Sequence, residues 1–368
     1  MGVAIILGAS AITAGSIAFW SPRAGVDQIA SANTAAALAS TPPSSPKAPL
    51  RVDVDSRVMG TVVKFSAYTT ERLDEQGVRG AITHAVDELR RIDQAMSSWR
   101  EDSDVSQLNV RAGQRVKVGA DTFRVIEKSL WAGEISSGAF DITFASMGEM
   151  WRFRGAGIQP KERPDPKEVK RRRRLVDYRA IEIDRSTQEV RVPKGRRIGL
   201  GGIAKGYAVD RASDVLRREG LRDFMVQAGG DLYAAGSKPG GEPWSVAIQD
   251  PRGPANTSFA TLELRDCGLS TAGDYERYYV ADGKRYHHII DPRTGYPATA
   301  SRSVTLWADS AFLSDALDDI AFILGPQEGL AIVESTQNAG AILVDANNRV
   351  WVSERLKGKV RILRDPTP

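Results

Sequence analysis

Three short stretches carry the side chains best suited to chemistry. In "GLGGIAKGYAVD" (199–210), glycines at 199, 201, 202 and 206 surround Lys205. Glycines let backbone amides approach a ligand without interference from a Cβ. The apolar Ala208, Ala212, Val215 and Leu216 that follow predict a helix, whose first amides favour anions. In "SDALDDIAFILG" (314–325), Asp315 and Asp319 lie four residues apart inside a helical apolar pattern of Phe312, Leu313, Ala316, Leu317, Ile320 and Ile323. Both carboxylates therefore leave one helix face. In "RYHHIID" (285–291), strand alternation sends His287 and His288 to opposite sides, so only one imidazole can enter a site. Its pKa range suits activation of a hydroxyl.

The glycine loop admits more than one reading. Gly199-x-Gly201-x-x-Ala204 fits the dinucleotide-binding fingerprint, follows a plausible strand at 190–192, and precedes an apolar run closed by Asp231. That fingerprint belongs to the first unit of a sheet with continuing βα alternation. Here the next runs, 222–236, 244–249 and 259–264, are joined by Gly- and Pro-rich turns too short for crossover helices. The P-loop alternative fails because Gly206, not Ser or Thr, follows Lys205. A tight strand-to-helix turn with Lys205 in solvent remains open beside a different kind of phosphate cradle.

The elements that must hold these residues are legible in outline. With 368 residues, 42% hydrophobic and 26% charged, the chain reads as globular beyond its N-terminus. A net charge of +4 is too small to argue for nucleic acid, and no such motif is present. Residues 3–20 carry no charge, and Ala37-Leu38-Ala39 is a passable cleavage triplet, which predicts a signal peptide or N-terminal anchor over 1–39 and export. No Lys or Arg precedes the apolar run, and no Cys follows it to carry a lipid. Residues 40–50 hold four prolines and four Ser or Thr, a linker that starts the folded domain at 51–368. The single Cys267 excludes an intramolecular disulfide and a thiolate metal cluster, and its apolar neighbours predict burial.

Val78, Ile82, Val86, Leu89, Ile92 and Met96 mark an amphipathic helix over 77–96, and a second helix is expected over 121–137. "WSVAIQD" alternates as a half-buried strand with Trp244, Val246 and Ile248 on one face. The eight basic residues in 161–174 form either a solvated face or a patch that steers a phosphorylated ligand. Helices mixed with hairpin-spaced strands predict an α+β fold of mostly antiparallel sheets.

Eight motifs in order then point to one family. They are "VMGTVVKF" (58–65), "IDQAMSSWREDSDVSQLN" (92–109), "GAFDIT" with "MWRF" (138–153), "LGGIAKGYAVD" (200–210), "VQAGGDLYAAG" (226–236), "STAGDYERYY" (270–279), "YHHIIDPRTGYP" (286–297) and "SDALDDIAFILG". Across roughly 57–335 the chain resembles the ApbE-like FAD:protein FMN transferases. The resemblance implies a T-fold-related architecture and cleavage of FAD with a divalent metal, usually Mg²⁺. The FMN phosphate passes to a Thr or Ser of a client flavoprotein, with AMP released. It also implies the periplasm or the periplasmic face of the inner membrane, where some members serve nitrous oxide reductase. A non-catalytic FAD-binding maturation or donor protein, and an enzyme that only hydrolyses FAD, remain the competing readings.

By the same resemblance, Asp315, Asp319 and the Gly202 carbonyl would hold the metal, Lys205 would face the pyrophosphate, and His288 would be the base. FAD contacts carried over are Met59, Trp99, Ala139, Phe140, Asp141, Gly199, Lys205 and Ile289. Trp99 offers a broad face for ring stacking. Gly229, Gly230 and Asp231 would shape the pocket floor, and Asp291 either caps a turn or orients the ligand. Three departures stand out. Gly199 replaces a common Asp, Ala272 a common Ser, and Asp319 the usual metal-site Thr, which implies a subfamily with altered metal or client preference.

Overall fold

The computed structural model describes residues 5–7, 48–151, 153 and 164–368. Regular structure of the main body begins at Arg51, where strands Arg51–Val58 and Thr61–Tyr68 form a hairpin. The expected first helix runs Glu75–Met96 and buries all six residues of its apolar stripe. Asp74 caps it by accepting from the Gly77 amide at 2.9 Å. The second expected helix is Ala120–Ile135.

One eight-stranded sheet organises the molecule. Its order is Val350–Val352, Ala339–Asp345, Ser301–Ala308, Cys267–Gly273, Asp231–Ala235, Phe224–Ala228, Thr61–Tyr68 and Arg51–Val58. Every adjacent pair is antiparallel. Its central strands serve two cores at once. Phe224, Val226, Tyr233, Val304, Leu306, Ala341 and Leu343 face a helical layer, while Met225, Leu232, Leu269, Ile342 and Val344 face a smaller sheet. That second sheet contains Trp244–Gln249, Ser258–Leu264 and Val360–Ile362. Burial on both faces explains why Asp231–Ala235 shows no polar alternation.

The helical layer includes Glu75–Met96, Ala204–Arg218 and Ala311–Ser335. The last is kinked at Gly325 (φ 74°), just before Pro326. Cys267 is buried and forms no disulfide. The basic segment becomes helix Pro166–Arg173, where Glu168 pairs with Arg171 and Arg172 at 2.6 Å each, an exposed charged face. Of the apolar N-terminal stretch, Ile5–Leu7 is a strand parallel to Trp244–Gln249. The rest of the expected signal or anchor, and the linker up to residue 47, lie outside the described residues. No helix among the described residues is long and apolar enough to cross a membrane.

Candidate active site

The site forms where helices Ala204–Arg218 and Ala311–Ser335 cross at unusually short range. Asp210 ties them together, its two oxygens accepting from the Ala311 and Phe312 amides at 2.9 Å each and so capping the second helix. Gly206 permits the approach. A Cβ there would lie 2.2 Å from the Ala311 carbonyl oxygen and 2.5 Å from Asp315 Cβ. The contact lets the Gly206 amide donate to Asp315 Oδ2 at 2.7 Å. It also sets Lys205 Nζ 3.9 Å from Asp315 Oδ1 and 2.6 Å from Asp231 Oδ2.

A buried acidic cluster surrounds that ammonium. Asp231, Asp315 and Asp318 each place a carboxylate oxygen within 4.8 Å of the others. Ser270 Oγ links two of them, at 2.6 Å from Asp231 Oδ1 and 2.5 Å from Asp318 Oδ2. Asp319, half-buried, lies by Gly202: a Cβ on that glycine would sit 3.4 Å from Asp319 Oδ2. The pair expected to hold a metal, Asp315 and Asp319, leaves out Asp318. Three-residue spacing also shares a helix face and was the signal that would have found it.

Four carboxylates against one ammonium leave the cluster short of positive charge. Burial, and then the Asp231 charge, push Asp315 up to about 7, with Lys205 opposing. Burial likewise raises Asp319 to about 6. Asp318 is raised well above the carboxylate range by burial and by Asp319 and Asp315. Burial disfavours the charged form of Lys205, yet Asp231 and Asp315 outweigh it and hold the ammonium above its ordinary value. Ser270 has one hydroxyl proton for two carboxylate neighbours, so a proton or a cation must hold the other. The oxygen donors fit a hard divalent cation.

Ser270 also positions the lysine, because it fixes one oxygen of Asp231 while the other holds Lys205. Ser270→Ala is expected to raise the KM for a phosphate-bearing substrate about tenfold, the scale of one charge-assisted hydrogen bond, with a smaller change in kcat. Ser270→Thr should restore most of the loss. Steady-state kinetics on both variants would check this, and an unchanged KM in Ser270→Ala would count against the role.

The other expected site residues separate into distinct environments. Trp99 is 84% exposed, so its indole is free to stack rather than packed in the core. Phe140 is buried, its ring edge 3.6 Å from a Cβ built on Gly202. Ala139 is fully buried. Asp141 is engaged within the fold: Oδ1 accepts from the Thr143 amide and hydroxyl, and Oδ2 from the Tyr178 amide at 2.9 Å. The Gly199 amide donates to the Ile142 carbonyl at 2.9 Å, bringing the glycine loop to the 139–142 segment. Met59 turns the first hairpin with φ 54°, half-buried.

The two histidines fall in different environments, because the strand Lys284–His287 ends before His288 and alternation does not reach it. His287 is buried, its Nε2 2.8 Å from the Ala298 carbonyl. His288 is half-buried, and its Nδ1 is a buried atom without a hydrogen-bond partner. Burial, then the neighbouring His287 and Arg277, pull its pKa down to about 3, with Lys205 close enough to contribute. The ring is neutral at physiological pH, and burial makes it a weaker base than the ordinary imidazole range expected from the sequence. Ile289 is buried beside it, its amide donating to His287 Nδ1 at 3.3 Å. Asp291 caps its own turn, accepting from the Arg293 amide and guanidinium at 2.8 Å each.

A profile described as the ApbE family matches residues 59–343. The FAD:protein FMN transferase of Treponema pallidum is 31% identical over 323 residues, covering 83% of this chain and 88% of that protein. The crystal structure of the ApbE protein of Thermotoga maritima superimposes with a TM-score of 0.75 at 31% identity, covering 85% of this chain and all of that one. The flavin transferase ApbE of Vibrio cholerae gives 0.74 at 26% identity, over 84% of this chain and 99% of its own.

Proposed function

The chain belongs to the ApbE family of FAD:protein FMN transferases, and from that premise we propose that it attaches FMN to a Thr or Ser of an exported client flavoprotein in a Mg²⁺-dependent reaction. The observation that carries this reading is the pairing of Lys205 with the Asp231, Asp315 and Asp318 cluster at a helix N-terminus. Such a site holds a polyanion next to a hard cation. Asp315 and Asp319 would hold the metal with the Gly202 carbonyl, and Asp318 adds a carboxylate within reach. The bound cation would neutralise charge on the pyrophosphate oxygens.

The chain's own residues supply the rest. Lys205 exchanges part of its pairing with Asp231 for the pyrophosphate and steadies the departing AMP. Trp99 covers a ring of FAD. His288, neutral at the outset, accepts the proton of the client hydroxyl as its oxygen bonds to the FMN-side phosphorus. The bond from that phosphorus to the bridging oxygen breaks, and AMP leaves with the electron pair. Phosphate charge near the imidazole favours its protonated form, which brings a base of low pKa toward working range. Delivery to the periplasm, or to the periplasmic face of the inner membrane, rests on the uncharged stretch 3–20.

Incubation with FAD, Mg²⁺ and a peptide carrying the acceptor Thr or Ser tests this directly. Peptide-bound FMN with equimolar AMP is expected, and His288→Ala should lose attachment by about 10³-fold while remaining folded. Free FMN and AMP without peptide modification would make the protein an FAD pyrophosphatase. Intact bound FAD with no turnover would make it a flavin carrier.

A further inference from the structure

The glycine loop is entered along a segment that has side chains where a strand would have neighbours. Arg197 and Ile198 belong to no strand, yet the backbone of each is bonded twice to a single side chain. Ser146 Oγ accepts from the Arg197 amide at 2.9 Å and donates to the Arg197 carbonyl at 3.1 Å. Asn109 Oδ1 accepts from the Ile198 amide at 2.7 Å, and Asn109 Nδ2 donates to the Ile198 carbonyl at 2.9 Å. A residue in an antiparallel ladder exchanges these same two bonds with one partner, and consecutive residues use opposite edges. The segment keeps that alternation. After Arg197 on one edge and Ile198 on the other, the Gly199 amide donates to the Ile142 carbonyl at 2.9 Å. Ile142 and Ser146 share the 3₁₀ helix Ile142–Met150, whereas Asn109 comes from helix Asp104–Val110.

The loop that follows is less constrained than this entry. Ile198, Leu200 and Ile203 are buried, but Gly201 is exposed, and a Cβ built on it meets nothing within 4 Å. The next helix, Ala204–Arg218, has no side-chain cap at Ile203. Gly202 and Lys205 are therefore placed from two ends, by the helix crossing at Gly206 and by the bracket on residues 197–199. Ile198 is fully buried, so loss of the Asn109 amide would leave its N–H and carbonyl without partners. That loss is relieved only if the segment shifts toward another partner, and the loop shifts with it. Asn109 stands 89 residues before Ile198 and closes the stretch "SDVSQLN", which the catalytic chemistry leaves without a task.

We propose that Asn109 and Ser146 are positioning residues for FAD cleavage: they bracket Ile198 and Arg197 from two edges and so hold the glycine loop, with Lys205, against the pyrophosphate. The proposal rests on the reading of this loop as the FAD site. Neither side chain has to touch FAD, because each acts through the backbone it holds. A shift of about 1 Å in such a site is worth on the order of 10²-fold in rate, and a loop freed at one of two brackets moves less than that.

Two measurements on one set of variants test this: FAD affinity of the metal-free protein, read from flavin fluorescence, and steady-state FMN transfer to an acceptor peptide with Mg²⁺. Asn109→Ala and Ser146→Ala should each weaken FAD binding and lower kcat by about tenfold, with the KM for the peptide unchanged. Ser146→Thr keeps a hydroxyl for both bonds and should restore most of the loss. Asn109→Asp keeps the acceptor but turns an oxygen toward the Ile198 carbonyl, and should not restore it. Because both side chains hold one segment, the double variant should differ from the product of the two single losses. Asn109→Ala, with Asn109→Asp beside it, decides the matter if the Ser146 variants do not fold. Wild-type FAD affinity and kcat in Asn109→Ala would overturn the proposal, as would strictly multiplicative losses or a peptide KM that rises in step. If wild type binds FAD but transfers no FMN, the functional reading fails, and FAD affinity in Asn109→Ala alone decides: weakened supports the bracket, unchanged overturns it. Absence of FAD binding by wild type would remove both.

Discussion

Asp315→Asn should reduce FMN transfer by roughly 10³-fold, about 4 kcal/mol of transition-state stabilisation, while making the metal-free protein more stable. The two effects have one origin. Asparagine keeps an oxygen acceptor for the Gly206 amide, so the helix crossing survives. It removes the charge that Asp315 contributes to a cluster already short of cations. Because burial raises Asp315 to about 7 in the folded protein, against about 4 in an unfolded chain, ionising it opposes folding. That penalty is absent below pH 4, where both states are protonated. It grows as pH rises toward 7 and is constant above. Metal-free wild type should therefore melt below metal-free Asp315→Asn at pH 8, with the gap closing as pH falls to 4. Adding Mg²⁺ should raise the melting temperature of wild type and leave that of the variant almost unmoved. Wild-type transfer rates in Asp315→Asn, or an equal response to Mg²⁺, would remove Asp315 from the site.

How far the sequence discloses such a site depends on how local its signals are. The helix Glu75–Met96 was legible because six apolar residues repeat at helical spacing, and its observed burial follows them. The helical spacing that puts Asp315 and Asp319 on one face was legible for the same reason. Ser270 and Asp231 were not legible as partners: they lie 39 residues apart, and only the pairing of Cys267–Gly273 with Asp231–Ala235 brings them together. Strand register of this kind leaves no mark in a strand buried on both faces. Trp99 shows the opposite case. A Trp in "SSWRED" is ordinarily packed, and its exposure follows from a turn beyond the helix C-terminus that periodicity does not describe. Asp141 keeps its place in the expected segment, yet its carboxylate serves Thr143 and Tyr178. Position was readable there, and side-chain engagement was not.

Gly206→Ala is the second large effect, and it discriminates between the glycines of one loop. A single methyl would enter at 2.2 Å from the Ala311 carbonyl oxygen and 2.5 Å from Asp315 Cβ. The first obstacle is backbone in a capped helix, which cannot swing aside as a side-chain tip can. Relief requires moving the two helices apart, at about 3 kcal/mol for overpacking of this kind. The same displacement lengthens the Gly206–Asp315 hydrogen bond and draws Asp315 away from Lys205. Misplacement of about 1 Å in a phosphoryl-transfer site is worth on the order of 10²-fold in rate. Gly201→Ala is the matched control, because a Cβ at Gly201 meets nothing within 4 Å. Denaturant unfolding and FMN-transfer kinetics should show Gly206→Ala both less stable and at least 10²-fold slower, with Gly201→Ala near wild type in stability. If Gly206→Ala kept wild-type stability and rate, the close helix crossing would not be what aligns the lysine with its carboxylates. The fingerprint match of Gly199, Gly201 and Ala204 would then be no worse a guide to this loop than its geometry. The expected contrast says otherwise: the glycine that matters follows Lys205, at the position that rules out a P-loop.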